Sequence, residues 1–239
     1  MSGMDDTAQV VEQTLANWKA SLYPTLELGG LYTLNPTVYK WKAPFRSLML
    51  RESVFWRLQD LLMQSHALFH AGHVLGARIL LRSGFETLAV LIYLNQMTAK
   101  VLDGTLNFHT FSEKTSQLLL GSKDQSTKHV AINIVTVLRH CDKRYPGLVK
   151  LYGDLSESAH PNYEGICVGY STVNHDNHVT NFANRWYEMH GGTHLKGVRA
   201  CMVLFEAEYN EVWPAHFDDL ERWIEANDTE LEATKGATP

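Results

Sequence analysis

The sequence predicts an all-α protein: a helical bundle of about six or seven helices with a small β-hairpin inserted after His160. Three observations carry this reading. Residues 73–98 (HVLGARILLRSGFETLAVLIYLNQMT) are apolar in almost every direction when drawn as a helix, the pattern of a helix wrapped by others rather than laid on a surface. Other long stretches repeat apolar residues at helical spacing and are separated by short breaks. The one weakly alternating stretch, GICVGYSTVNHDNHVTNFAN, is short and centred on a polar turn at residues 174–177, as a hairpin requires.

The elements follow in order. Residues 7–20 place Val10, Val11, Leu15 and Trp18 on one face of a short amphipathic helix. From 22 to 45 the pattern is broken by Pro24, Gly29, Gly30, Pro36 and Pro44, yet Tyr23, Tyr32, Tyr39 and Trp41 supply apolar mass. An ordered strap is expected there. Residues 47–69 form a second long helix, ended by Gly72 in the left-handed conformation, and the short turn makes it an antiparallel neighbour of the central helix. Gly104 closes the central helix, a third run covers about 111–120 and stops at Gly121, and GSKDQSTK is a surface loop. Residues 127–141 are rich in β-branched side chains, but their length predicts a buried helix. Pro146 suits the first turn of the next helix, whose Leu148, Leu151, Tyr152 and Leu155 share a face and whose end is marked by His160 before Pro161. The last helical region starts near Thr193, restarts at Pro214 and frays after Asp228. The expected divisions are 1–46 (helix and strap), 47–162 (bundle core), 163–228 (hairpin and C-terminal helices) and 229–239 (frayed tail).

With 239 residues, 45% of them hydrophobic and 20% charged, the chain can bury a large core without staples. A net charge of −5 removes any general basic character that would advertise nucleic acid, although a local basic groove stays open. Cys141, Cys167 and Cys201 are scattered and form no CxxC pair, so a disulfide framework is not expected and a reducing cytoplasm is. The acidic, polar start is wrong for a secretory signal, and the uncharged part of the central helix, residues 87–99, is too short to span a bilayer. A cytoplasmic protein without a membrane partner is expected.

The central helix carries Arg78, Arg82 and Glu86 at four-residue spacing, with Tyr93 seven residues further on, all on one stripe. Charges inside an apolar helix are costly unless paired. The stripe is therefore either an ion pair that sets helix register or a set of cations offered to an anionic ligand, with Glu86 orienting them. A second candidate is YGDLSESAHPNYEG, residues 152–165, where His160 is released at a helix end. It could move a proton in a cleft or simply cap its own helix. Among the 12 histidines, His66, His70 and His73 have metal-like spacing interrupted by Gly72, and His175 and His178 sit in the hairpin turn. His190 and His194, with Glu188, are the best metal candidate, though a Gly-Gly pair lies between them. No HExxH, P-loop, GxGxxG or GxSxG is present, and no cofactor or metal is assigned.

ARILLRSGFETLAVLIYL followed by LYGDLSESAHPN resembles a pattern in bacterial helical families that pair an Arg-Ser-x-x-Glu helix with a Tyr-x-x-Leu-Ser-x-x-x-His-Pro helix end. These are similar to the HEPN superfamily, helical bundles that are often homodimers and commonly RNA-cleaving toxins or defence effectors. The resemblance covers roughly residues 50 to 165. It implies a site in which Arg82, Glu86, Tyr152 and His160 gather for metal-independent cleavage of RNA or action on a nucleotide, with Arg78 and Asn162 binding the substrate. In that scheme His160 moves the proton, Arg82 neutralises phosphate, Glu86 holds Arg82 and Tyr152 donates a hydrogen bond. The superfamily's ribonuclease signature, Arg followed by His after four to six positions, has one match, Arg185 to His190, with tryptophan where a polar residue is usual. The alternative, from another class, is a non-catalytic helical module that binds a small anionic ligand or a protein partner.

Overall fold

A computed structural model describes residues 2–236, which form eleven α-helices, two π-helical turns and one two-stranded antiparallel sheet. The all-α class with one hairpin agrees with the sequence. The helices outnumber the six or seven expected because short ones form where breaks are predicted. In order they are α1 (Ser2–Ser21), α2 (Leu28–Leu34), α3 (Pro36–Tyr39), α4 (Lys42–His70), α5 (Val74–Leu102), α6 (Phe108–Leu120), α7 (Ile134–Asp142) and α8 (Leu148–Ala159). A π turn (Tyr163–Val168), strands β1 (Ser171–Asn174) and β2 (Val179–Phe182), α9 (Trp186–His190), α10 (His194–Ala207), a second π turn (Glu208–Val212) and α11 (Trp213–Ala233) complete the chain.

The chain divides into two compact units, each assembled from three stretches. Unit 1 comprises Met1–Leu22, Trp56–Leu88 and Asp142–Leu204. Its core holds Leu15, Leu58, Leu62, Leu81, Phe85 and Trp186, with Phe69, Val74, Ala77, Trp186 and Leu195 forming one continuous cluster. Gly72 joins α4 to α5 at φ +81, a conformation that side chains with a Cβ rarely adopt. Asp142 caps α8: its Oδ1 accepts from the backbone N–H of Gly147 at 3.0 Å and of Val149 at 2.9 Å, a carboxylate at the positive end of the helix dipole. Pro146 lies just before the Gly147 cap rather than inside the first turn. The hairpin pairs Ser171 with Phe182 and Asn174 with Val179, and Asn174 Oδ1 accepts from the Asn177 N–H at 3.1 Å to close its turn.

Unit 2 comprises Tyr23–Phe55, Ala89–Cys141 and Phe205–Pro239. Here the expected strap is largely helical. Pro36 and Pro44 fall in the first turns of α3 and α4, where a missing N–H costs nothing, and Asn35 caps α3 by accepting from Val38 N–H at 3.1 Å. Tyr39 and Trp41 are buried, and their polar atoms reach Glu221 at 2.5 Å and Asp228 at 2.9 Å. The helix expected over 127–141 begins only at Ile134. Before it, Val130 is 74% exposed and bridges Ser122, and Asn133 caps α7 by accepting from Val135 N–H at 2.9 Å. The frayed tail expected after Asp228 is also corrected: α11 continues to Ala233 and buries Leu231, while residues 237–239 lie outside the described residues. No helix among the described residues is long and apolar enough to cross a membrane.

The second π turn brings Glu208 into the unit 2 core, fully buried, where Asn95 Nδ2 donates to its Oε2 at 2.7 Å. Asn95→Ala removes that donor inside the core. It should lower stability by about 1–3 kcal/mol in a urea unfolding measurement.

Candidate functional site

In unit 1, α5 and α8 run antiparallel. As α5 passes from Arg78 to Arg82 to Glu86, the partners on α8 pass from Ser158 to Ser156 to Tyr152. Arg82 Nε donates to Ser156 Oγ at 2.9 Å and Nη2 donates to the Tyr152 hydroxyl at 2.5 Å. Tyr152 in turn donates to Glu86 Oε1 at 2.8 Å, and Arg82 Nη2 lies 3.1 Å from the same oxygen. Burial first, then the bond to Glu86, raises the Tyr152 pKa, so the phenol keeps its proton and serves as donor. Three of the four residues expected at one site thus meet, and they satisfy one another.

His160 is not among them. It caps α8 in an extended conformation, as the following proline requires, and its ring is exposed. It lies two turns from Tyr152, roughly 12 Å along the axis, toward the Arg78 end. Asn162 spends its amide on its own turn, accepting from Gly165 N–H at 2.9 Å and donating to Glu157 at 2.5 Å. Tyr93 packs its ring against His140 in unit 2.

Arg78, one turn from Arg82, behaves differently. It is 6% exposed, and its guanidinium is held by neutral acceptors: Nε donates to Ser158 Oγ at 2.7 Å and Nη2 to the Asp154 carbonyl at 2.9 Å. It lines a cleft of about 590 Å³ together with Asp154, Glu157, Glu164, His190, Thr193, His194 and Lys196. Burial lowers its pKa, opposed by Glu164 and Asp154, but a guanidinium stays charged in a protein. Gly197 lets α10 approach α5 here, since a Cβ would come within 3.1 Å of Leu81 Cδ2.

Two imidazoles share the cleft. His190 stacks on Trp186 with its Nε2 3.3 Å from Glu164 Oε1, a close contact not aligned as a hydrogen bond. Burial and then Arg78 lower its pKa, with Glu164 opposing, which favours the neutral ring. His194, 2% exposed, stacks on Phe69 and places Nε2 3.1 Å from Ser65 Oγ. Ser65 gives its one proton to the Ala77 carbonyl at 2.8 Å, so the proton between them belongs to His194 Nε2. That assignment leaves Nδ1 as a buried lone pair without a partner. Burial, then Arg78 and the neighbouring histidines, hold its pKa down to about 4.

The remaining candidates have other duties. Arg185 donates to the Val168 and Ser171 carbonyls and pairs with Glu188 at 3.0 Å, tying α9 to the base of the hairpin. His66 and His70 meet each other through their Nε2 atoms at 3.0 Å. Among the described residues, no three His, Cys, Asp or Glu side chains are arranged to hold a metal ion. Sequence reasoning named His190 and His194, with Glu188, as the best metal candidate without assigning a metal, and passed over Glu164. The usable signal was the four-residue spacing across Gly191 and Gly192, a tight turn that keeps both rings on one side. No family model, curated protein or solved structure matches this chain.

Two tests follow from the electrostatics. A depressed imidazole pKa means that the unfolded chain takes up the proton first as pH falls. The stability linked to His194 is therefore full above pH 6.5 and is lost as pH drops to about 4. At 1.4 kcal/mol per pH unit this is about 3 kcal/mol, and urea midpoints of His194→Gln should show a flatter pH profile over that window than wild type. For Arg82 and Glu86, side-chain exposures of 24% and 25% place the pair between surface and core. A double-mutant cycle with Arg82→Met and Glu86→Leu should give a coupling energy of about 1 kcal/mol, short of the 3–5 kcal/mol of breaking a fully buried pair.

Proposed function

We propose that the chain is a HEPN-like protein acting on RNA or a nucleotide, and that it acts at the Arg78 cleft. The single observation that carries this reading is a buried guanidinium, anchored by neutral acceptors, lining the same open cleft as His190. Arg78 is the charge for a phosphate oxygen. His190 is the base: it takes the proton of a ribose 2′-hydroxyl, whose oxygen attacks phosphorus to give a cyclic phosphate. The departing 5′-oxygen takes a proton back from the imidazolium. Glu164 stabilises that imidazolium. The Arg82–Tyr152–Glu86 cluster holds α8 against α5, so that Ser158 and the Asp154 carbonyl meet Arg78. A toxin or defence role and a homodimeric state belong to the same resemblance-based reading.

One observation favours the alternative, a non-catalytic module for a small anionic ligand. Asp154, Glu157 and Glu164 outnumber Arg78 and Lys196 around the cleft, which disfavours a long polyanionic strand but admits a single phosphate. Cleavage of mixed cellular RNA and binding of nucleotides, measured side by side, separate the two. Arg78→Gln and His190→Ala should each lower cleavage by about 10²-fold or more, while His160→Ala retains it. A wild-type protein that binds nucleotides and cuts no RNA supports the alternative. One that does neither sinks both readings.

A further inference from the structure

The last two turns of α4 carry His66 and His70 at four-residue spacing, which puts both on one face of the helix. Their Nε2 atoms meet at 3.0 Å while their ring centroids stand 4.3 Å apart, so the rings lean together at those tips. Within such a pair one Nε2 donates its proton and the other accepts. Neither Nδ1 has a hydrogen-bond partner among the described residues. The buried Phe69 ring packs edge-on against His70 at 5.6 Å and limits its orientation. His66 is half-buried and His70 exposed, so solvent reaches the pair. Burial and then His70 lower the His66 pKa, which keeps a lone pair on its ring, and Glu12 of α1 opposes them by favouring positive charge there.

We propose that His66 and His70 chelate one divalent transition-metal ion through their two Nε2 atoms, Cu²⁺ or Ni²⁺ in preference to Zn²⁺. Metal–nitrogen bonds of about 2.0–2.1 Å separate two ligand nitrogens by about 2.9 Å at a right angle and about 3.3 Å at the tetrahedral angle. The observed 3.0 Å suits the right angle of a tetragonal or octahedral site, the geometry that Cu²⁺ and Ni²⁺ adopt with nitrogen and oxygen ligands. The ion takes the place of the shared proton. The donor ring moves its proton to Nδ1, stays neutral, and both Nε2 atoms then present lone pairs. Water fills the remaining positions, since no three His, Cys, Asp or Glu side chains among the described residues are arranged around one ion. The two rings converge only while the turn between them is helical, so the ion binds the folded chain in preference to the unfolded one and holds the end of α4. Neither histidine lines the Arg78 cleft, and the proposal stands apart from the reading of that cleft.

Calorimetric titration of the full-length protein with Ni²⁺, Zn²⁺ and Mg²⁺ tests this, together with the electron paramagnetic resonance spectrum of the chain given less than one equivalent of Cu²⁺. Ni²⁺ should bind at one tightest site per chain, Zn²⁺ more weakly and Mg²⁺ not at all, and the Cu²⁺ spectrum should show a tetragonal centre with two nitrogen ligands. His66→Gln and His70→Gln should each weaken Ni²⁺ by at least the roughly tenfold that loss of even an outer partner costs a metal site. Each should also remove the two-nitrogen signature. His70 is exposed, so His70→Gln carries the test if the half-buried His66 proves necessary for folding. His175 and His178 in the hairpin turn supply the control, because replacing both with Gln should leave the tightest site unchanged. A wild-type chain that binds neither Ni²⁺ nor Cu²⁺, full affinity in His70→Gln, or loss of the tightest site in the hairpin variant overturns the proposal.

Discussion

Unit 1 depends on how the positive charge of Arg78 is buried. Removing a guanidinium from water is expensive, and a directly paired carboxylate is the usual compensation. Here the direct partners are a serine hydroxyl and a backbone carbonyl, both on α8, so the charge is solvated by dipoles and only approached by Glu164 and Asp154. Those bonds set the register of α8 on α5. They also leave the cation's field directed at the cleft, where it lowers the proton affinity of both His190 and His194.

The contrast with Arg82 is instructive because the two arginines sit one turn apart on the same stripe. Arg82 has a carboxylate one turn further along its own helix and a phenol across from it, and the three close into a mutually satisfied set. Such a set positions the two helices. Arg78 has no acidic residue at the equivalent spacing, since that position is Arg82 itself. Spacing on one helix thus decides which arginine pairs with a carboxylate of its own helix and which is held by α8 alone.

The histidines show a similar division. His194 is locked by Ser65 and Phe69 in the wall between α4, α5 and α10, and its buried lone pair is kept unprotonated by its surroundings. His190 stands nearer the open cleft, with Glu164 within 3.3 Å to receive its charge if it gains a proton. His194 is enclosed by the packing, and the His190 side chain is partly exposed to the cleft.

By itself the sequence determined the helical class, the two longest helices and the left-handed Gly72 between them, the end of α8 at His160 and the hairpin turn. Each rests on local physics: apolar periodicity, a glycine without a Cβ, a proline that forbids helix before it. The Arg82–Glu86–Tyr152 contact was also legible, because i,i+4 spacing places two members together and α8 offers a matching polar group. Residues 127–133 misled, since β-branched content and length cannot reveal that Val130 bridges Ser122 on the surface. Proline in the strap misled for the opposite reason, because a proline ends one helix and starts another with equal ease. The cleft was beyond local reading. Its residues come from α5, α8, α9, α10 and the π turn after α8, and only their packing brings Arg78, Glu164, His190 and His194 together, while leaving the conspicuous His160 on the outside.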